Sequence, residues 1–231
     1  MPLFVRVLFA ALLLSSPLGA QDRPVVVELY TSQGCSSCPP ADALLHELAA
    51  RKDVLALALH VDYWDYIGWK DIFADAAHVK RQRGYARAGG RRMIYTPQMI
   101  INGQDHVVGN RPKDVAALIQ RHAAIPRPVS ITLKRSGDQL LITAQAAALI
   151  TAPLLVQLIR YHPESTVEIT RGENADRTIS YSNVVTGWRE LARWDSAAPL
   201  SISAEVKGDD PIAVIVQQDG FGAIEGAAVL P

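Results

Sequence analysis

Cysteine is scarce in this chain: two in 231 residues, Cys35 and Cys38. Two thiols three positions apart cannot staple distant parts of a fold. A disulfide-built secreted scaffold would spread several along its length. The pair therefore reads as local and chemical, and no third cysteine follows that could relay an exchange. A surplus of one charge is also missing. Lys+Arg and Asp+Glu both number 23, which gives no general attraction to nucleic acid or an anionic membrane. After residue 20 no apolar run is long enough to span a bilayer. No internal repeat or low-complexity segment is visible. What the chain does have is apolar content, 49%, enough for one large domain or two small ones.

Residues 1–20 read as a secretory signal peptide. Arg6 is the only charge before Asp22, Val7 to Leu14 forms an apolar core, and Leu18-Gly19-Ala20 offers a cleavage site. The alternative, a membrane anchor, needs a longer run. The mature chain is expected to be periplasmic or secreted, with no stable membrane anchor.

The first half alternates strand and helix. Val25 to Tyr30 and Val54 to Val61 read as buried strands, and Ala41 to Ala50 has helical apolar spacing. Asp71 to Arg87 reads as a helix. Tyr95 to Ile101 leads into a strand, Asn102-Gly103 signals a hairpin, and Asp105 to Gly109 returns. Pro112 to Ala123 closes the unit, with Pro112 suited to a first turn. After Ile125-Pro126-Arg127-Pro128, which reads as a linker, the period becomes two. Short strands are expected near residues 129–134, 140–143, 153–161, 200–206 and 211–217, a spacing that suggests a sandwich.

Cys35-Ser36-Ser37-Cys38 falls where the first strand runs into the first helix. Unpaired N–H groups and the positive end of the helix dipole favour thiolate over thiol there. Thiolate is the form that attacks a disulfide. The β-α-β-α-β-β-α order, the Cys-x-x-Cys at that junction and Thr96-Pro97 opening the third strand resemble the thioredoxin fold. More narrowly, Glu28 to Asp42, His60 to Asp71 and Arg171-Gly172-Glu173-Asn174 look like the signature of a family of secreted, thioredoxin-like bacterial proteins catalogued as a domain of unknown function. That resemblance spans essentially the whole mature chain and supplies no substrate.

The resemblance implies an α/β thioredoxin-like domain over residues 21–125, followed by an all-β sandwich-like domain over 128–231. It implies disulfide exchange without a cofactor. Cys35 would be the more exposed nucleophile and Cys38 the resolving thiol. Thr96 and Pro97, joined by a cis bond, would line the substrate groove. The partners would be protein thiols and disulfides of the cell envelope. Two rival readings stand beside this one. The pair could be a fixed local disulfide in a non-catalytic binding or assembly module. Alternatively, Cys35, Cys38 and His60 could hold copper or zinc.

Asp62 to Trp69 is dense in aromatics and acids and follows the second strand, on the sheet edge where ligands tend to bind. Tyr63 and Trp64 could wall a substrate groove, with Asp62 or Asp65 taking protons from the thiols. Equally, the segment could simply pack onto the core. Lys80, Arg81, Arg83, Arg87, Arg91 and Arg92 form a basic run, expected to be a solvated helix face. Arg171 to Asn174 is expected in a turn of the second domain, at a ligand or at a domain interface.

Overall fold

The computed structural model describes residues 23–231. The expected signal peptide lies outside the described residues. Strand β1 (Val25–Thr31) is buried along its whole length. A strand buried on both faces must be covered on both, and the two sides of β1 belong to different cores. Val25, Val27 and Leu29 pack with α1 (Pro39–Ala49) and α3 (Pro112–Ala124). Val26 and Tyr30 pack on the opposite side with α2 (Ala76–Ala88). Strand β2 (Val54–His60) runs parallel to β1, and β3 (Gln98–Ile101) and β4 (Asp105–Val108) form the hairpin beyond it. Asn102 and Gly103, both at positive φ, make its turn.

The elements of this first half come in the expected order, yet they do not close into a domain of their own. The remaining strands are β5 (Val129–Ser136), β6 (Gln139–Ala146), β7 (Leu154–Ile169), β8 (Arg177–Trp194), β9 (Leu200–Glu205), β10 (Ile212–Gln218) and β11 (Ile224–Leu230). Strand β8 pairs in parallel with β2 at Val184 and Ala58. One eight-stranded sheet results, in the order β11-β10-β7-β8-β2-β1-β3-β4. A second sheet, β5-β6-β9, covers one face of its far half through Val129, Ile131, Leu140 and Ile142 against Val156, Val214 and Val216. Helices α1 and α3 cover the same face of the near half. The expected thioredoxin-like domain followed by a separate sandwich-like domain is therefore corrected. The reason is physical: β2 has an edge that the first half leaves unpaired, and unpaired edge groups take a strand where one is on offer.

Helix α2 seals the join from the other face. Its core contains residues of both halves, among them Val26, Leu57, Tyr85, Ile159 and Ile215. The sequence reading of its basic run needs a correction at Arg81. Lys80, Arg83, Arg87, Arg91 and Arg92 are exposed, but Arg81 is buried and grips Glu28 of β1 through Nε and Nη2 at 2.7 and 2.8 Å. Its Nη2 also donates to Gln217 Oε1 of β10, and the guanidinium lies 3.8 Å over the Trp188 ring of β8. Burial opposes the Arg81 charge, and Glu28 more than offsets it, so the group stays ionised. Helix α2 also starts later than expected. Asp75 caps it by accepting from Ala77 N at 2.8 Å, and Asp71 is used elsewhere.

Candidate functional site

The loop from β1 to α1 carries Cys35 and Cys38, joined in a disulfide with Cα atoms 5.4 Å apart. Cys38 is the N-cap of α1, and Pro39 and Pro40 take the first helical positions, where a missing N–H does no harm. The loop is tightly bonded. Cys35 N donates to Ser32 O and Cys38 N to Cys35 O, each at 3.1 Å. Gly34 comes so close to Trp64 that a Cβ would lie 3.2 Å from the Trp64 Cβ. Ser36 and Ser37 are exposed. The cysteines are not: Cys35 is 2% and Cys38 0% exposed. Cys35 is thus only marginally the more exposed of the two, and Gly34 beside it lies against Trp64 and Ile67.

Asp42 lies one helical turn after Cys38 on the buried side of α1, its N–H donating to Cys38 O at 3.1 Å. Its Oδ1 accepts from Thr31 Oγ1 at 2.7 Å. Burial raises the Asp42 carboxyl to about 7, with His60 and the Thr31 hydroxyl opposing and Asp71 assisting. The sequence reading passed over this residue, since an acid in a first helical turn is ordinarily a solvated partner of the helix dipole.

His60 ends β2 directly beside Thr31. It is fully buried, with Nδ1 2.7 Å from Asp71 Oδ2 and its ring edge-on to Phe73 and Tyr181. Asp71 also accepts from Gln33 N and Phe73 N, both at 2.8 Å. His60 Nε2, Tyr181 Oη and Gln33 Nε2 are buried without a hydrogen-bond partner among the described residues. Groups of three or more His, Cys, Asp or Glu side chains placed to hold a metal are absent among the described residues.

The other predicted site residues fall around this centre. Asp62 is exposed, and Asp65 accepts from Asp71 N at 3.1 Å, which gives it a turn-capping bond. Trp64 Nε1 donates to Thr96 Oγ1 at 2.7 Å and the ring stacks on Tyr66, which is 80% exposed. Tyr63 Oη donates to Gln82 Oε1, and burial pushes its hydroxyl up to about 12. The Thr96–Pro97 bond is cis. Pro97 and Ala41 of α1 approach the same glycine: a Cβ on Gly109 would lie 3.2 and 3.1 Å from them. Thr96, Pro97, Trp64 and the cysteine loop thus share one edge of the sheet.

A distant segment completes the site. The tip of the β7–β8 hairpin reaches over the loop, and Trp69 Nε1 donates to Gln33 Oε1 at 2.8 Å beside it. Gly172, at φ +78°, sits where a Cβ would meet that of Trp69 at 3.2 Å. The Asn174 side chain then reaches the loop backbone itself, at Gln33 and Cys35.

No curated protein matches the chain. A solved protein of Agrobacterium tumefaciens, AGR_C_4864, is similar, with 33% identity and a TM-score of 0.78, over 91% of this chain and 96% of that one. HBP35 of Porphyromonas gingivalis is 15% identical with a TM-score of 0.60, over 92% of this chain and 76% of its own, a likeness of fold alone. The family described as "Protein of unknown function (DUF1223)" matches residues 26–217. Those matched residues include both cysteines, Asp42, His60 and Asn174, and the chain belongs to that family.

Proposed function

We propose that this protein is an exported thiol–disulfide oxidoreductase acting on cysteines of periplasmic or secreted proteins. The observation that carries the reading is a Cys-x-x-Cys disulfide closed at a helix N-terminus, with a buried carboxyl, titrating near neutrality, one turn below it. A thiolate of the client attacks Cys35 Sγ, the Cys35–Cys38 bond breaks, and Cys38 leaves as a thiolate. Asp42 is the acid that returns a proton to it. A second client thiolate then attacks the client sulfur of the mixed disulfide and expels Cys35. The client is oxidised by two electrons and the protein is reduced by two, and the reverse sequence reduces a client disulfide. The sulfurs carry the electrons, so the exchange calls for no cofactor. The Trp64–Tyr66 stack, with Tyr63 and Thr96, is the surface on which an apolar client segment would lie, and the buried Pro97 supports it from beneath. Buried polar atoms left unpaired around the loop also favour a working site over plain packing.

One observation favours a second reading. Both cysteines are almost fully buried, as in a binding module with a permanent local disulfide. Titration of the full mature chain against glutathione separates the two. The oxidoreductase reading expects a potential above about −300 mV, whereas structural disulfides fall below it. After reduction and a short iodoacetamide pulse, Cys35 should be labelled faster than Cys38. Cys38→Ser should trap a mixed disulfide on Cys35. A potential below that limit together with no trapped adduct would leave the binding module.

A further inference from the structure

We propose that Asn174, at the tip of the β7–β8 hairpin, is a positioning residue that sets the balance between disulfide and dithiol at Cys35–Cys38. The inference deepens the oxidoreductase reading, on which it rests. Asn174 is 1% exposed and stands 139 residues after Cys35. Its Nδ2 donates to Gln33 O at 2.9 Å and to Cys35 O at 3.0 Å. Its Oδ1 accepts from Arg177 Nη1 at 3.1 Å, which fixes which end of the carboxamide faces the loop. A carboxamide held this way supplies two donors to two backbone carbonyls of one three-residue stretch.

One of those carbonyls matters for chemistry. Cys35 O also accepts from Cys38 N, the bond that closes the turn between the two cysteines. Fixing this carbonyl holds Cys35 at the separation the disulfide needs. In the dithiol no covalent bond requires that separation, so a rigid anchor favours the closed form over the open one. The hairpin tip itself is held in place by the Gly172–Trp69 approach and by Asp176 N donating to Ile169 O at 2.8 Å. The anchor therefore belongs to a separate, rigid element, and the loop is pinned from outside. Two hydrogen bonds made in the disulfide and loosened in the dithiol bias the equilibrium by about tenfold.

The test measures the dithiol–disulfide equilibrium of the full mature chain, against glutathione and against dithiothreitol, for the wild type, Asn174→Ala and Arg177→Met. Asn174→Ala should move the equilibrium about tenfold toward the dithiol, a potential about 30 mV less negative. Arg177→Met, an exposed change that only frees the carboxamide to turn, should move it about threefold the same way. A lowered melting temperature with an unchanged equilibrium in Asn174→Ala would make Asn174 purely structural and overturn the proposal, as would a shift toward the disulfide. If Asn174→Ala does not fold, an unmoved equilibrium in Arg177→Met overturns it instead. A wild type that glutathione cannot reduce defeats the oxidoreductase reading, while the difference between variants against dithiothreitol still decides the role of Asn174.

Discussion

At the scale of single residues, Asp42 carries the clearest consequence for pH. Its carboxyl titrates near 7 in the fold instead of near 3.8. Between those values the folded chain keeps a proton that the unfolded chain has lost, so stability falls as pH rises. The contribution is fully present below about pH 4 and is lost as pH passes 7. At about 1.4 kcal/mol for each pH unit, the ceiling is on the order of 4 kcal/mol. Asp42→Asn keeps the oxygen that accepts from Thr31 and removes the titration. Urea denaturation should show it to be about as stable as the wild type at pH 4 and about 2–4 kcal/mol more stable at pH 8. Equal stability at both values would mean that Asp42 is ionised in the fold. The same variant should slow protonation of Cys38 and hence exchange. The cysteines were legible in the sequence because composition isolates them and a strand-to-helix junction gives them a chemical setting. His60 and the Arg171 to Asn174 motif also stood out, but their roles did not: Asp42 and His60 acquire theirs from burial and from Thr31 and Asp71, and Asn174 from a loop 139 residues away.

At the scale of elements, helix α2 is built around a glycine for lack of room. Gly84 lies in its interior, and a Cβ there would fall 2.3 Å from the Phe221 ring. Alanine in a helix interior ordinarily gains about 1 kcal/mol over glycine. Here the clash dominates, since overpacking costs about 1–3 kcal/mol. Gly84→Ala should therefore destabilise the protein, and adding Phe221→Leu should recover most of the loss, as read by thermal unfolding. Periodicity located most of the strands, including those of the first half and the alternating ones after Pro128. It missed β11, which follows the last expected strand, and β8, where charged and polar residues such as Arg189, Glu190 and Arg193 dilute the apolar face. It also ended β7 near residue 161, although the strand continues to Ile169. A strand exposed on one side along a long hairpin shows too little apolar contrast to be told from loop.

At the scale of the whole molecule, the two halves share a sheet and a core. Residues 23–125 alone would expose the β2 edge, remove Ile159, Val185 and Ile215 from the core around Tyr85, and strand Arg81 and Glu28 without Gln157 and Gln217. Such a fragment is expected to lack cooperative thermal unfolding and to aggregate, as checked by circular dichroism and light scattering. A sharp melt would show that the first half is self-sufficient. The linker-like Ile125 to Pro128 segment and the change of period suggested two bodies. The parallel pairing of Ala58 with Val184 that unites them is a long-range match with no trace in either segment. The hairpin contact to the cysteine loop has a further consequence, one of timing. A chain emerges from its amino end, so Cys35 appears 139 residues before the side chain that grips its loop, with Cys38 close behind it. For that interval the pair is open to any oxidant or thiol it meets. A redox event at the pair in that interval would precede the completion of its own site.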